Sequence, residues 1–393
     1  MRRITVLFFI LFIYGCGSNS AKESNSGIPV IDISKKYPEK TLYIQDIADV
    51  EYVLPETADV MLDASAEAVY VSDKRIVAIN RLFGDVFIFS RDGKMLSRFN
   101  PGDQGRDEYI IQTVYDEKYK ELYIYSISGF SVFSENGERL RTFQTGDSMN
   151  PDLYNFDDET LLAYDKFGTE QNGSKKYRTK PYLFLSKKDG SIVSVLDRTL
   201  PVRYSNRMVT TIKGWNGEKQ EATMAISVEG NNWHDGKDFV IADFSSDTVF
   251  RMTRDKILYP LIIRKPTVHN RKSAKTFFTP LLKTDKFMLF SKNVIDFDKM
   301  QKRKTDPVVN LLYYFTTGEI YDISIANRDC PLTVRFGNSH TGVDIDKNMA
   351  ASLIASQQII DCLERGEVKG NLLPAAQKLT DRSNPVLMIM KFK

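Results

Sequence analysis

Apolar residues along this chain fall into short runs broken by polar turns, not into the 3.6-residue period of amphipathic helices. Val86-Phe87-Ile88-Phe89-Ser90 leads through Arg91-Asp92-Gly93 into Met95-Leu96-Ser97-Arg98-Phe99. Phe130-Ser131-Val132-Phe133-Ser134 leads through Glu135-Asn136-Gly137 into Arg139-Leu140-Arg141-Thr142-Phe143. The two stretches echo each other at an offset of 44 residues: Phe89 with Phe133, Gly93 with Gly137, Leu96 with Leu140, Phe99 with Phe143. Each reads strand, Asp-Gly or Asn-Gly turn, strand, because these dipeptides accept the positive φ of a tight hairpin. A unit of roughly 40–50 residues made of several short strands is the mark of a β-propeller blade.

Looser copies follow. Leu161–Tyr164 with Tyr182–Val193 keeps a Ser-to-Asp-Gly turn with one residue inserted. Phe239–Asp243 with Thr248–Met252 turns at Arg254-Asp255-Lys256, and Phe287–Phe290 with Leu311–Phe315 turns at Thr317-Gly318. Upstream, Leu42–Ile44, Val50–Leu54, Val69–Val71 and Ile76–Ile79 read as strands. Any one hairpin also suits an antiparallel sandwich; the register kept over several units favours a propeller. Near the C-terminus the pattern changes. Met349, Leu353, Ile360 and Leu363 predict a helix over Asn348–Arg365 with Gly366 as its stop, and a second short helix is expected over Ala375–Arg382. Val386–Phe392 is a final strand. A ring must close without exposed edges, so this strand and those near residues 42–54 are expected to share the closing blade.

The N-terminus reads as a processing signal. Arg2 and Arg3 precede an apolar run, Ile4–Tyr14, too short for a span of roughly 20 residues. Ile13-Tyr14-Gly15-Cys16 resembles the lipobox of bacterial lipoproteins, which implies cleavage before Cys16 and acylation of that residue. Several acyl chains, each buried CH₂ contributing about 0.8 kcal/mol, would hold the protein on a membrane. Gly17–Gly27 is rich in Ser, Asn and Gly and suits a tether. The expected organisation is therefore a signal peptide over 1–15, a flexible tether over 16–36 and a propeller over 37–393. The expected place is the bacterial cell envelope, at the outer membrane or cell surface.

Composition narrows the chemistry. The 54 basic and 51 acidic residues leave a net charge of +3, which gives no support to a nucleic-acid partner. Only three histidines occur, His234, His269 and His340, none in a metal-binding spacing, and there is no nucleophile elbow or P-loop. No metal and no cofactor are expected. Cys330 and Cys362 lie outside any CxxC pattern, and whether they pair is left open by their spacing. Attention falls on the region where the repeat fails. Arg203, Tyr204 and Arg207, then Trp215 and the pair Trp233-His234, sit in polar, Gly/Asn-rich surroundings between residues 203 and 236. They read either as blade-interface and loop residues or as cationic and aromatic ligand contacts at a propeller mouth.

Nearly the whole mature chain resembles the six-bladed β-propeller lipoproteins of the NHL/TolB-like class. The resemblance is carried by Ile44–Thr57, Ser246–Arg251, the terminal Asn384-Pro385-Val386-Leu387, and a Gly102–Tyr109 loop in which Arg106-Asp107 replaces the family's Pro-Gly. It implies an all-β, six-bladed propeller with a short helical insertion near the C-terminus; the number six comes from the resemblance. The function it leaves open is a binding or scaffolding module for a glycan, peptide or protein partner. The alternative is an exported glycan lyase or hydrolase with its site at the mouth.

Overall fold

The computed structural model of the protein describes residues 27–393 except 103–107, 144–150, 166–168, 172–173, 177, 205–206, 214–217, 226–231, 244, 271–274, 297–298, 300–305, 335, 337–343 and 346–347. Six sheets form the ring, each built on an antiparallel meander or closure. From the inner to the outer strand, blade 1 is Ala66–Val71, Arg75–Asn80, Val86–Ser90 and Met95–Phe99; blade 2 is Ile110–Asp116, Glu121–Ser126, Gly129–Ser134 and Arg139–Phe143. Blade 3 is Pro151–Asn155, Thr160–Asp165, Tyr182–Ser186 and Ile192–Val195. Blade 4 is Trp233–Asp235, Asp238–Ile241, Thr248–Met252 and Leu258–Lys265; blade 5 is Lys275–Lys283, Phe287–Ile295, Val309–Tyr314 and Ile320–Ala326. Blade 6 is Met349–Ile354, Val386–Phe392 and Ala48–Val53. The six-bladed propeller expected from the sequence is the observed fold.

The apolar runs explain the layering. Middle strands are covered on both faces by neighbouring blades, and Ile76–Asn80, Val86–Phe89 and Thr160–Asp165 are buried throughout. Outer strands alternate or are mostly exposed, as at Met95–Phe99 and Ile192–Val195. The echoing turns are explained by contact as well as by φ. Gly137 has φ +81°, and a Cβ there would lie 2.5 Å from Cβ of Phe99, the last residue of the preceding outer strand. Gly190 has φ +77° and repeats the relation to Phe143, at 2.7 Å from its ring. The Phe that ends one blade therefore packs under the turn glycine of the next.

The N-terminal segment differs from expectation. Val30–Asp32, placed in the tether by sequence, pairs in parallel with Leu258–Lys265 as a fifth strand of blade 4. Ile31 and Ile33 are buried, and that apolar anchorage is why the chain is ordered here. Glu39–Tyr43 pairs in parallel with Ile320–Ala326 outside blade 5, so of the strands near 42–54 only Ala48–Val53 enters the closing blade. Residues 30–53 thus run around the outside of three consecutive blades and cap the open edge of two.

The closing strand behaves as expected. Val386–Phe392 lies between Ala48–Val53 and Met349–Ile354, with Leu387 opposite Val53 and Leu353. The helix read over Asn348–Arg365 is corrected in its first half. Met349–Ile354 is the inner strand of blade 6, because the edge of Val386–Phe392 must be satisfied and pairing overrides a helix-compatible composition. A helix occupies Ser356–Glu364 only, and Gly366 follows it at φ +70°. The second helix is one turn, Leu373–Ala376, after a 3₁₀ turn at Gly370–Leu372. Among the described residues, no helix is long and apolar enough to cross a membrane.

Candidate functional site

Antiparallel strands alternate direction, so each blade presents two kinds of loop on two faces. Turns joining the first strand to the second, and the third to the fourth, share one face, the turn face. Second-to-third turns and blade-to-blade connections share the opposite, connection face. On the turn face, a cavity of about 620 Å³ opens where blades 1 to 4 meet. Its wall takes Tyr70 from blade 1, Asp116-Glu117-Lys118 from blade 2, and Asn155 to Glu159 with Lys187 from blade 3. Blade 4 contributes His234 and Arg254. A narrow extension lined by Gln112, Thr113, Tyr154, Asn232, Trp233 and His234 continues it toward the ring axis.

The wall is held by charge-assisted bonds between blades. Lys187 Nζ donates to Asp116 Oδ2 at 2.5 Å and to the Asp157 carbonyl at 2.5 Å. Both members of this ion pair are buried. Glu117 accepts from Tyr70 Oη at 2.9 Å and from Ser72 Oγ at 3.1 Å, joining blade 2 to blade 1. Lys118 Nζ pairs with Asp158 Oδ2 at 2.5 Å, and that hydrogen bond holds the Asp158 carboxyl below its ordinary range. Asp157 Oδ1 accepts from the backbone N–H of Glu159 and of Thr160, which closes its own turn. Arg141 grips Glu121 bidentately at 2.8 and 2.6 Å and also donates to the Lys187 carbonyl. The guanidinium of Arg254 lies 5.5 Å from the centre of the buried Phe156 ring. Tyr119, about half exposed, adds an aromatic face beside Lys118 at the rim. The result is a rigid polar concavity with both signs of charge.

The structure divides the residues singled out from the sequence. His234 lines the cavity with its ring 4.0 Å from that of Phe239, and Trp233 lines the narrow extension while packing on the core between blades 4 and 5. Arg203 and Tyr204 stand on the connection face. Arg203 is no mouth residue: only 2% of its side chain is exposed, and its Nη2 donates to Tyr164 Oη at 3.1 Å, which in turn donates to Asp243 Oδ2 at 2.6 Å. It seals the joint of blades 3 and 4. Arg81, bonded to Glu67 and to carbonyls of blade 2, does the same between blades 1 and 2. Arg264 does so between blades 4 and 5, its guanidinium donating to the Thr276 carbonyl. Tyr204 stacks on His269 at 5.4 Å. Arg207 begins the hairpin strand Arg207–Lys213, and its side chain lies outside the described residues, as do Trp215 and Cys16. Sequence reading passed over Asp116–Lys118, Asp157–Glu159, Lys187 and Arg254. Their signal was present: Asp116–Lys118 and Asp157–Glu159 are the first-to-second turns of successive repeats, and Lys187 and Arg254 lie in the third-to-fourth turns of successive repeats.

One solved structure shares this architecture, and others give weaker similarity. A Bacteroides fragilis protein described as exported superposes with a TM-score of 0.61 at 10% identity, over 93% of this chain and 99% of its own. A DUF4221 family member from Bacteroides vulgatus gives a TM-score of 0.42 at 12% identity, covering 88% and 98% of the two chains. A Bacteroides thetaiotaomicron protein of unknown function gives 0.41 at 10% identity, covering 87% and 76%. No curated protein matches the sequence. The family model described as "Domain of unknown function (DUF4934)" matches residues 28–391, from the first strand on the outside of blade 4 to the closing strand of blade 6, and the chain belongs to that family.

Proposed function

We propose that this protein is an exported, lipid-anchored propeller that binds a polar ligand, a glycan or a peptide, in the turn-face cavity. The observation that carries this reading is the cavity itself: about 620 Å³, walled by four blades, with Lys118, Arg254, His234 and Glu159 around it. Binding is favoured over catalysis by what the carboxylates already do. Asp116, Glu117 and Asp158 are each engaged with a neighbouring blade, so they serve to fix the wall. A wall fixed before the ligand arrives loses little entropy on binding. Tyr119 at the rim suits stacking on a sugar ring. Export and anchoring are supported by Arg2-Arg3, the apolar run and Ile13-Tyr14-Gly15-Cys16, and by the description of the Bacteroides fragilis neighbour as exported.

Glycan and peptide arrays probed with the protein identify the ligand, and titration calorimetry then compares variants. Arg254→Ala and Lys118→Ala are expected to weaken binding at least about tenfold, the loss of one charge-assisted contact, with an unchanged melting temperature for Arg254→Ala and only a small drop for Lys118→Ala, whose pair with Asp158 is solvent-exposed. Binding unaffected by both, or turnover of the bound compound, overturns the reading. For the anchor, Cys16→Ala is expected to move the protein from the membrane to the soluble fraction; retention on the membrane refutes acylation at Cys16.

A further inference from the structure

Cys330 and Cys362 play no part in the cavity, yet the fold brings them together. Cys330 follows the outer strand of blade 5, and Cys362 lies on the inward face of the helix Ser356–Glu364. Both belong to the core cluster shared by blades 5 and 6 and the helical insertion, with 0% and 1% exposure. The backbone clamps the two segments: Lys369 N–H donates to the Asp329 carbonyl at 2.7 Å, beside Cys330. Gly370 packs closely on the Asp329 carboxylate: a Cβ added there would lie 2.1 Å from Oδ1. Arg365 Nη2 donates to Cys362 Sγ at 3.2 Å and holds that side chain in place. Both are free thiols in this structure, and both side chains pack into that one cluster.

We infer that Cys330 and Cys362 form a disulfide in the native protein, tying the helical insertion to the end of blade 5. The inference rests on the export part of the proposed function, since a disulfide persists outside the reducing cytosol; it is independent of the ligand site. The oxidant is a dithiol–disulfide exchange protein of the envelope. One cysteine thiolate attacks its disulfide, giving a mixed disulfide and releasing one oxidant thiol. The second cysteine thiolate attacks that mixed disulfide, forming the Cys330–Cys362 bond and releasing the other oxidant thiol. The protein loses two electrons and two protons, and the oxidant gains both. Burial sets the timing. In the folded protein neither sulfur is open to an oxidant, and burial pushes the Cys330 thiol up to about 12. The bond therefore forms during folding, before the helix docks.

The test uses the full-length protein isolated from cell envelopes, denatured and alkylated without reductant, then digested with trypsin. The expected species is peptide Asp329–Arg335 linked to peptide Asn348–Arg365, separating on reduction. In parallel, the reduced protein is unfolded and refolded with glutathione disulfide, which tests proximity without reference to compartment. The same link is expected, and the linked form is expected to melt about 5 °C above the reduced one. Alkylation of both thiols in both experiments overturns the pairing. A link on refolding with free thiols in the envelope protein overturns the native disulfide by refuting an oxidising compartment, and leaves ligand binding in the cavity untouched.

Discussion

At the scale of single residues, the molecule depends on positions where backbone, space and charge all leave one solution. Gly137 must adopt positive φ and sit against Phe99. Gly137→Ala is expected to cost about 1–2 kcal/mol for the left-handed backbone and a further 1–3 kcal/mol for displacing the ring. Urea unfolding measures the sum. Lys187 is different in kind, because removing it strands a buried Asp116 carboxylate. Lys187→Met is expected to destabilise by about 3–5 kcal/mol, and Asp116→Asn in the same chain is expected to recover part of that loss. Glu121 gives a pH signature. The Arg141 hydrogen bonds hold its folded-state carboxyl below the ordinary value of 4.5. Its contribution is thus fully present above that value and is lost as pH falls through the lower, folded one. The urea midpoint is expected to drop below about pH 4.5, and Glu121→Gln is expected to make that drop shallower.

Among the elements, the strands divide by how they are fixed. Strands carrying the 44-residue echo are fixed locally: a glycine turn sets each hairpin and an apolar run fills each blade interface. Met349–Ile354 is fixed only by its partner Val386–Phe392. Its residues suit a helix equally well, which is why periodicity read through it into the true helix at Ser356. The segment from Val30 to Tyr43 likewise has weak local character and strong non-local pairing, across more than two hundred residues to blades 4 and 5. Truncation before Val386 is expected to leave two edges unpaired and abolish cooperative unfolding, monitored by circular dichroism. Deleting residues 28–43 exposes only outer edges. That variant is expected to keep a cooperative transition at a lower midpoint and to aggregate more readily.

At the scale of the whole molecule, the ring is stapled on both faces. Buried arginines, Arg81, Arg203 and Arg264, lock blade joints on the connection face. The carboxylates and Lys187 do so beneath the cavity on the turn face. Rigidity of the cavity wall is thus a property of the ring, not of any one loop. Arg203 was singled out because it is a cation in an interruption of the repeat. The same feature has a bland cause: a cation placed where two blades meet and two polar side chains, Tyr164 and Asp243, await it.

The sequence by itself determined the blade repeat, the glycine turns and the closing strand, because each shows in the pattern of residues along a short stretch of chain. It also contained the charged turns of the cavity, though nothing local marks Asp116 and Lys187 as partners. Tertiary structure alone decided which loops share a face, how Arg203 and His234 come to lie on opposite faces, and that Cys330 and Cys362 are buried in one core. Those relations are set when strands far apart in the chain pair and the ring closes, and no short window of sequence carries them.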